Sequence, residues 1–207
     1  MGRKRIDEIR RAELVEAAYA VMKQGGVGAA TLARVAAEAG LSKGMVLHYF
    51  ENRDALIEAT LRHVNALYGH EVAQRLAAAK TPLARVEAIV EANFAAWYYR
   101  PEIAHTWLSF CAEAPFKRQP RRLQKVLHSR MESNFRANLA PLVGVERAKS
   151  LALGLTALID GLWVRCALTP GGFDREVARR QVLDHLALVV GGAATAPRRP
   201  LRASARP

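Results

Sequence analysis

Cysteine is nearly missing from this chain: 207 residues hold two, Cys111 and Cys166, far apart and in no Cys-x-x-Cys pattern. That spacing offers neither a disulfide framework nor a thiolate metal site. Both cysteines fall in apolar stretches of helical pattern and are expected in the core. The histidines at 48, 63, 70, 105, 128 and 185 show no His-x-x-x-His or comparable ligand spacing, so no metal is expected. No glycine-rich phosphate loop and no nucleophile motif is present, which argues against an enzyme and gives no reason to expect a cofactor. No segment alternates apolar and polar residues as a half-buried strand would, and no internal repeat is visible. The N-terminus is basic but has no apolar stretch behind it, so it does not read as a secretion signal. The apolar run Leu151–Leu168 is interrupted by Asp160 and Arg165 and falls short of the about 20 residues a membrane span needs. A soluble, cytoplasmic chain that does not enter a membrane is the expectation.

What is abundant is apolar and basic. At 51% hydrophobic, a chain of this length can bury a good core in one or two domains. The net charge of +12 and pI of about 10.4 suit a polyanionic partner. The excess is unevenly spread. Residues 1–53 hold nine Lys/Arg against six Asp/Glu, whereas residues 117–130 hold six cations and no acid. That second run reads first as a solvated helix face and only second as an auxiliary phosphate contact. The stretch 193–207, with three prolines and four arginines, is expected to be a disordered basic tail. Gly2-Arg3-Lys4-Arg5 reads as an arm before the first helix that is able to reach a groove or a phosphate.

Residues 31–56 carry the strongest local signal. Thr31 is placed to cap a helix with Leu32, Val35 and Ala36 on its inner face, and that helix should stop at Gly40, which tolerates the positive φ of a sharp reversal. Ser42 is placed to cap the next helix, so Ser42, Lys43, Gly44 and Met45 sit at a helix N-terminus where phosphate oxygens are attracted. Val46 and Phe50 share an inward face, leaving Lys43, Gly44, His48 and Tyr49 able to point outward. This pattern fits a helix-turn-helix whose second helix enters the major groove of double-stranded DNA. Lysine and tyrosine can hydrogen-bond phosphate, while Met45 and Lys43 are the expected base-edge readers. An ordinary helical hairpin with a glycine turn is the competing reading, and the two caps, the turn length and the Tyr-Phe ending favour DNA.

The same residues resemble the TetR family of bacterial repressors: Thr31-Leu32-Ala33-Arg34-Val35-Ala36, then Ala39-Gly40-Leu41-Ser42, then Tyr49-Phe50 followed by Asn52-Arg53-Asp54-Ala55-Leu56. Two departures stand out. Arg53 replaces the usual lysine, which keeps a cation beside a helix start and so a phosphate contact. Leu47 stands where the family commonly has tyrosine, which shifts that backbone contact to Tyr49 or His48. The resemblance implies DNA contacts by Thr31, Ser42, Lys43, Gly44, Met45, His48, Tyr49 and Arg53.

Beyond residue 56 the pattern is helical throughout, giving an all-α chain of about nine helices. A first helix is predicted over about 7–24 and ends at Gly25-Gly26. A fourth runs from Asn52 to about Lys80. Thr81-Pro82 starts one that carries Val86, Val90, Asn93, Phe94 and Trp97 on a single stripe until Arg100-Pro101. Further helices are predicted over 101–114, about 119–139 before Pro141, about 145–168 and about 174–190. The first of the last two is apolar on more than one face, so it needs either full enclosure or a partner, and the two packed against those of a second copy would make a four-helix dimer interface. The expected division is residues 1–52 as a helix-turn-helix head, 53–192 as a ligand-binding and dimerisation body, and 193–207 as the tail.

Inside that body, Asn93 interrupts an apolar stripe, and Asp160 lies in Thr-Ala-Leu-Ile-Asp-Gly-Leu-Trp, where a carboxylate must be paired, neutralised or turned to a polar cavity. Trp97, Tyr98, Tyr99, Trp107, Phe110 and Trp163 include every tryptophan of the chain. Aromatics with few polar groups describe either a small-molecule pocket or core filling plus dimer contacts. As a pocket they suit a quaternary ammonium held by ring faces, with Glu113 or Asp160 balancing its charge and Asn93 orienting it. Asn93-Phe94, Thr106-Trp107-Leu108-Ser109-Phe110, Arg122-Leu123-Gln124 and Ala157–Trp163 resemble the C-terminal domain of the choline-responsive repressors of the glycine betaine pathway. That resemblance implies choline as effector, although Trp97-Tyr98-Tyr99 is more aromatic than it leads one to expect and leaves a different effector open. The combined expectation is a homodimeric repressor released from an inverted-repeat operator by a small molecule. The alternatives are a regulator of another pathway with an aromatic or apolar effector, and a ligand-independent DNA-binding protein.

Overall fold

The computed structural model describes residues 2–191 and consists, among them, of nine helices and no strand. The tail expected at 193–207 lies outside the described residues. Three helices make the head: α1 (Gly2–Ala29), α2 (Leu32–Glu38) and α3 (Lys43–Tyr49). Six make the body: α4 (Arg53–Ala78), α5 (Pro82–Asn93), α6 (Pro101–Glu113), α7 (Arg118–Val143), α8 (Val145–Leu168) and α9 (Arg175–Gly191).

The starts of α2 to α6 each have a chemical reason in the sequence. Thr31, Ser42, Asn52 and Thr81 all sit in extended backbone and accept a hydrogen bond from the N–H three residues on, at 3.2, 3.2, 2.9 and 3.1 Å. Pro82 and Pro101 take first-turn positions, where the missing N–H costs nothing. Gly40 turns the chain at φ 65°, a left-handed conformation that a side chain would resist.

The elements depart from expectation in three places. First, α1 begins at Gly2, so the stretch 2–5 read as an arm is helical backbone; at its other end Gly25 (φ −149°, ψ 22°) and Gly26 (φ 72°, ψ −177°) interrupt the helix where a stop was expected. Second, α5 ends at Asn93, because Phe94 leaves helical geometry (φ −111°, ψ 23°) and the chain crosses 94–99 in turns. Trp97 is therefore not on the α5 stripe. Third, α7 runs through Pro141 to Val143. A proline this close to a helix end removes one backbone bond without displacing later turns.

Two apolar cores result. The head core gathers Leu14, Ala18, Val21 and Met22 of α1, Val35, Val46 and Phe50, and it also takes Leu56 and Ile57 from the first turn of α4 and Phe110 from α6. The body core joins Val86, Ile89, Val90 and Phe94 to Phe135 and Leu139 of α7, to Leu155, Ile159, Leu162 and Trp163 of α8, and to Val182 and Leu186 of α9. Helix α8 is long and apolar enough to cross a membrane by length and composition. Its residues Ala148, Ala152, Leu155, Ile159, Leu162, Trp163 and Cys166 are instead spent on this core. That use accounts for part of its composition, while Val145, Leu153 and Leu168 remain exposed.

Candidate functional site

The head presents the N-terminus of α3. Val46 and Phe50 are buried, and Ser42, Lys43, Gly44, Met45, Leu47 and His48 form an exposed face, with Thr31 exposed at the start of α2. Met45 and Leu47 are 44% and 43% exposed on this face. Tyr49 is half-buried, its ring edge-on to His48 at 4.9 Å. The Arg11 guanidinium covers the Phe50 ring at 4.3 Å and donates to the Tyr49 carbonyl, so α1 holds the end of α3 in place.

Arg53 is placed differently from its seven companions. Its Nε donates to Ala30 O at 2.9 Å and its Nη2 to Val27 O, while Nη1 lies 3.7 Å from Asp54. A guanidinium with these donors turned inward satisfies carbonyls at the end of α1 and fixes α4 against the head. A lysine, with a single ammonium, has no fork to span both carbonyls.

In the body, Trp163 is the hub of an aromatic cluster. Its ring centroid lies 4.8 Å from Tyr98, 5.3 Å from Tyr99 and 6.1 Å from Trp107, and Tyr98 stacks on Tyr68 of α4 at 5.0 Å. The Tyr99 hydroxyl donates to Leu162 O at 2.9 Å, and burial pushes all three tyrosine hydroxyls well above their ordinary range. Asn93 is buried, donates to Ile89 O at 2.8 Å and lies beside the Tyr68 hydroxyl.

Asp160 lies near Tyr68, and its charge is among the causes that push that hydroxyl up. Its Oδ2 is 3.3 Å from His128 Nε2 on α7, with 29% of the aspartate side chain exposed. Burial raises its pKa; the His128 charge opposes that rise and Glu132 adds to it. The carboxylate is thus only partly compensated.

Three expected members stand outside the cluster or at its border. Glu113 pairs with Lys117 at 3.0 Å on the outer surface. Trp97 touches Tyr98 at 5.1 Å but is 39% exposed and donates to Glu71 at 3.2 Å. Phe110 is buried in the head core. Sequence reasoning missed Tyr68, His128 and Glu132, because they come from α4 and α7, and no spacing within one segment joins them to Asp160.

Between head and body lies a cleft of about 40 Å³ whose walls include Tyr19 of α1, Asn65 of α4, Tyr98, and Thr106, Trp107 and Phe110 of α6. Beside it, α6 is fastened to the kink of α1. The Thr106 hydroxyl lies 2.9 Å from Met22 O and from Glu102 O; the Val27 N–H donates to Ser109 Oγ at 2.9 Å, and that hydroxyl donates to Thr106 O. A helix interrupted at Gly26 leaves backbone groups without ladder partners, and these two side chains supply them. A Cβ at Gly26 would meet Ser109 Oγ at 3.0 Å, so the clasp also needs glycine there.

Two family models match the chain. Residues 14–60 match the model of bacterial regulatory proteins of the tetR family, and residues 82–191 match the BetI-type transcriptional repressor C-terminal domain. The chain is 41% identical over 184 residues to the HTH-type transcriptional regulator BetI of Burkholderia thailandensis, covering 88% of this chain and 94% of that one. It is 42% identical, with the same coverage, to BetI of Paraburkholderia xenovorans. Among solved structures, a transcriptional regulator from Pseudomonas aeruginosa PAO1 superposes with TM-score 0.76 at 26% identity, over 90% of this chain and 93% of that one. A regulator from Saccharomonospora viridis, solved in complex with choline, has the same fold at TM-score 0.76 and 19% identity, over 86% of this chain and 96% of that one. Transcriptional regulators of this kind are not enzymes. With its helix-turn-helix head and its matching body, the chain belongs to the TetR family and is a BetI-type transcriptional repressor.

Proposed function

We propose that this repressor is a homodimer that occupies an inverted-repeat operator and releases it when choline or a related quaternary ammonium compound enters the body. The observation that carries the effector reading is the ring cluster of Tyr68, Tyr98, Trp107 and Trp163, of which Tyr98 and Trp107 line the cleft, with the partly desolvated Asp160 carboxylate near enough to Tyr68 to push its hydroxyl up. A quaternary ammonium donates no strong hydrogen bond. It gains about 0.5–2 kcal/mol from each ring face it contacts, and its charge adds to that of His128 in compensating the partly buried Asp160 carboxylate. The choline found in the Saccharomonospora relative supports the same class.

The cleft holds about 40 Å³, against the roughly 300 Å³ or more of ordinary ligand sites, so an effector has to part its walls. Because α6 is both a wall and the strap on α1, parting the walls moves the head. An effector that prefers the displaced arrangement weakens operator binding by its differential affinity for the two states.

On the DNA side, Lys43 and Met45 read base edges, Gly44 lets backbone approach, and His48 and Tyr49 hold phosphate; Thr31 and Ser42 fix the two helices as caps. Arg53 acts from behind, by setting α4 on the head. The division is a head over 1–52 and a body over 53–192, acting in the cytoplasm. Pairing is assigned to α8 and α9, where Leu153, Leu168 and Leu188 are 59%, 69% and 74% exposed and Gly154 and Gly161 leave room for close helix approach.

The test is fluorescence anisotropy with the DNA upstream of the protein's own gene, with and without choline, at two salt concentrations. Release by choline supports the reading. Tight binding that choline leaves unaltered overturns the choice of effector while keeping the repressor.

A further inference from the structure

Among the walls of the cleft, Tyr19 is the one side chain from the head helix α1, and its hydroxyl is buried with no hydrogen-bond partner. That is an expensive arrangement. A hydroxyl removed from water without a partner costs about 1–3 kcal/mol, and buried hydroxyls in folded proteins are nearly always paired. The ring is held on its other side by the Lys23 ammonium at 4.8 Å, and Tyr98 lies close by across the cleft. Burial together with Glu102 and Glu16 pushes the hydroxyl up to about 12, so it remains a donor at every physiological pH. Of the other polar walls, Thr106 already has Met22 O and Glu102 O at 2.9 Å as acceptors for its one hydroxyl hydrogen.

Resting on the quaternary ammonium reading above, we infer that Tyr19 is a specificity residue of the effector site, donating its hydroxyl hydrogen to the oxygen of a hydroxyalkyl ammonium while the Tyr98 and Trp107 rings that share the cleft take the cationic end. The head would then form a wall of the effector site itself and would sense the ligand without an intermediary. A single hydroxyl reads the polar end of the ligand, which separates choline from its deoxy analogue by the loss of one hydrogen bond.

Isothermal titration of the full chain with choline and with ethyltrimethylammonium, the same cation without its hydroxyl, tests this on wild type and Tyr19→Phe. The variant removes only an unpartnered buried atom, so it is expected to melt no lower than wild type and to bind the operator equally well. Wild type is expected to prefer choline about fivefold to tenfold, and Tyr19→Phe to lose that preference while binding ethyltrimethylammonium as wild type does. A preference that survives in Tyr19→Phe, or wild type that binds the two cations equally, overturns the role of Tyr19 and leaves the ammonium reading standing. Wild type that binds neither cation overturns both.

Discussion

Replacing Ser109 by alanine removes one oxygen from the contact between α6 and the kinked end of α1, with almost no change in volume. In the native arrangement that oxygen accepts from the Val27 N–H at 2.9 Å, and Val27 is only 1% exposed. The N–H lies just past Gly26, where the helix ladder is interrupted, so no backbone carbonyl is in position to replace the hydroxyl. A buried donor left without a partner costs about 1–3 kcal/mol. For a chain of this size each kcal/mol lowers the melting temperature by about 2–4 °C, which puts the expected fall at about 2–12 °C. The second consequence concerns coupling. If α6 carries the effector signal through Ser109 and Thr106, Ser109→Ala should still bind choline but should lose part of the choline-induced drop in operator affinity. Thermal denaturation followed by circular dichroism reads the first effect, and anisotropy titrations with and without choline read the second. An unchanged melting temperature would refute the claim that Ser109 satisfies the kink. A full choline response in a variant that has lost stability would refute the claim that this contact transmits it.

Other expectations follow from the same geometry. Arg53→Ala should lower the melting temperature as well as operator affinity, since two inward donors are lost; a pure affinity effect with unaltered melting would return Arg53 to a simple phosphate contact. Lys43→Ala should change operator preference, whereas Tyr49→Phe should weaken all sequences and reduce the slope of log affinity against log salt, both measurable by anisotropy across salt. Burial raises the Asp160 pKa above its value in the unfolded chain, so its ionised form costs stability above that raised pKa, and stability is regained as pH falls through it. Asp160→Asn should therefore raise the melting temperature at neutral pH while weakening choline binding, and wild-type choline affinity should decline as Asp160 becomes protonated. Leu153→Asp, on the exposed face of α8, should split the dimer, which sedimentation velocity would register as a shift to monomer.

The head was legible in the sequence because its signals are local. Thr31, Ser42 and Asn52 each cap a helix three residues from the N–H they bind, and Gly40 turns the chain between two of them, so a window of 26 residues contained the geometry. The inward contacts of Arg53 were not legible for the opposite reason: its partners, Val27 and Ala30, lie 26 and 23 residues upstream, and nothing in a motif says which way a guanidinium will turn. The body was legible as helices and as an aromatic cluster around Trp163 and Asp160. Its membership was not. Extending the α5 stripe through Phe94 carried Trp97 inward, whereas the helix stops at Asn93 and Trp97 reaches out to Glu71. Glu113 has the right charge but is one residue type among several on α6, and the register of that helix turns it toward Lys117. Tyr68, His128 and Glu132 join Asp160 only through tertiary packing of α4 and α7, which no periodicity reports.

The burial of Phe110 in the head core bears on how such regulators are taken apart and recombined. A chimera joined at residue 52 would carry a foreign α6 beneath the head and lose Leu56, Ile57 and Phe110 together, leaving three holes in a core of about a dozen large side chains. The head is a module only together with the first turn of α4 and the last turns of α6. A biosensor that grafts this body onto another operator specificity would do better to keep the chain intact and exchange only the outward face of α3, where Lys43, Gly44, Met45 and His48 contribute little to the packing.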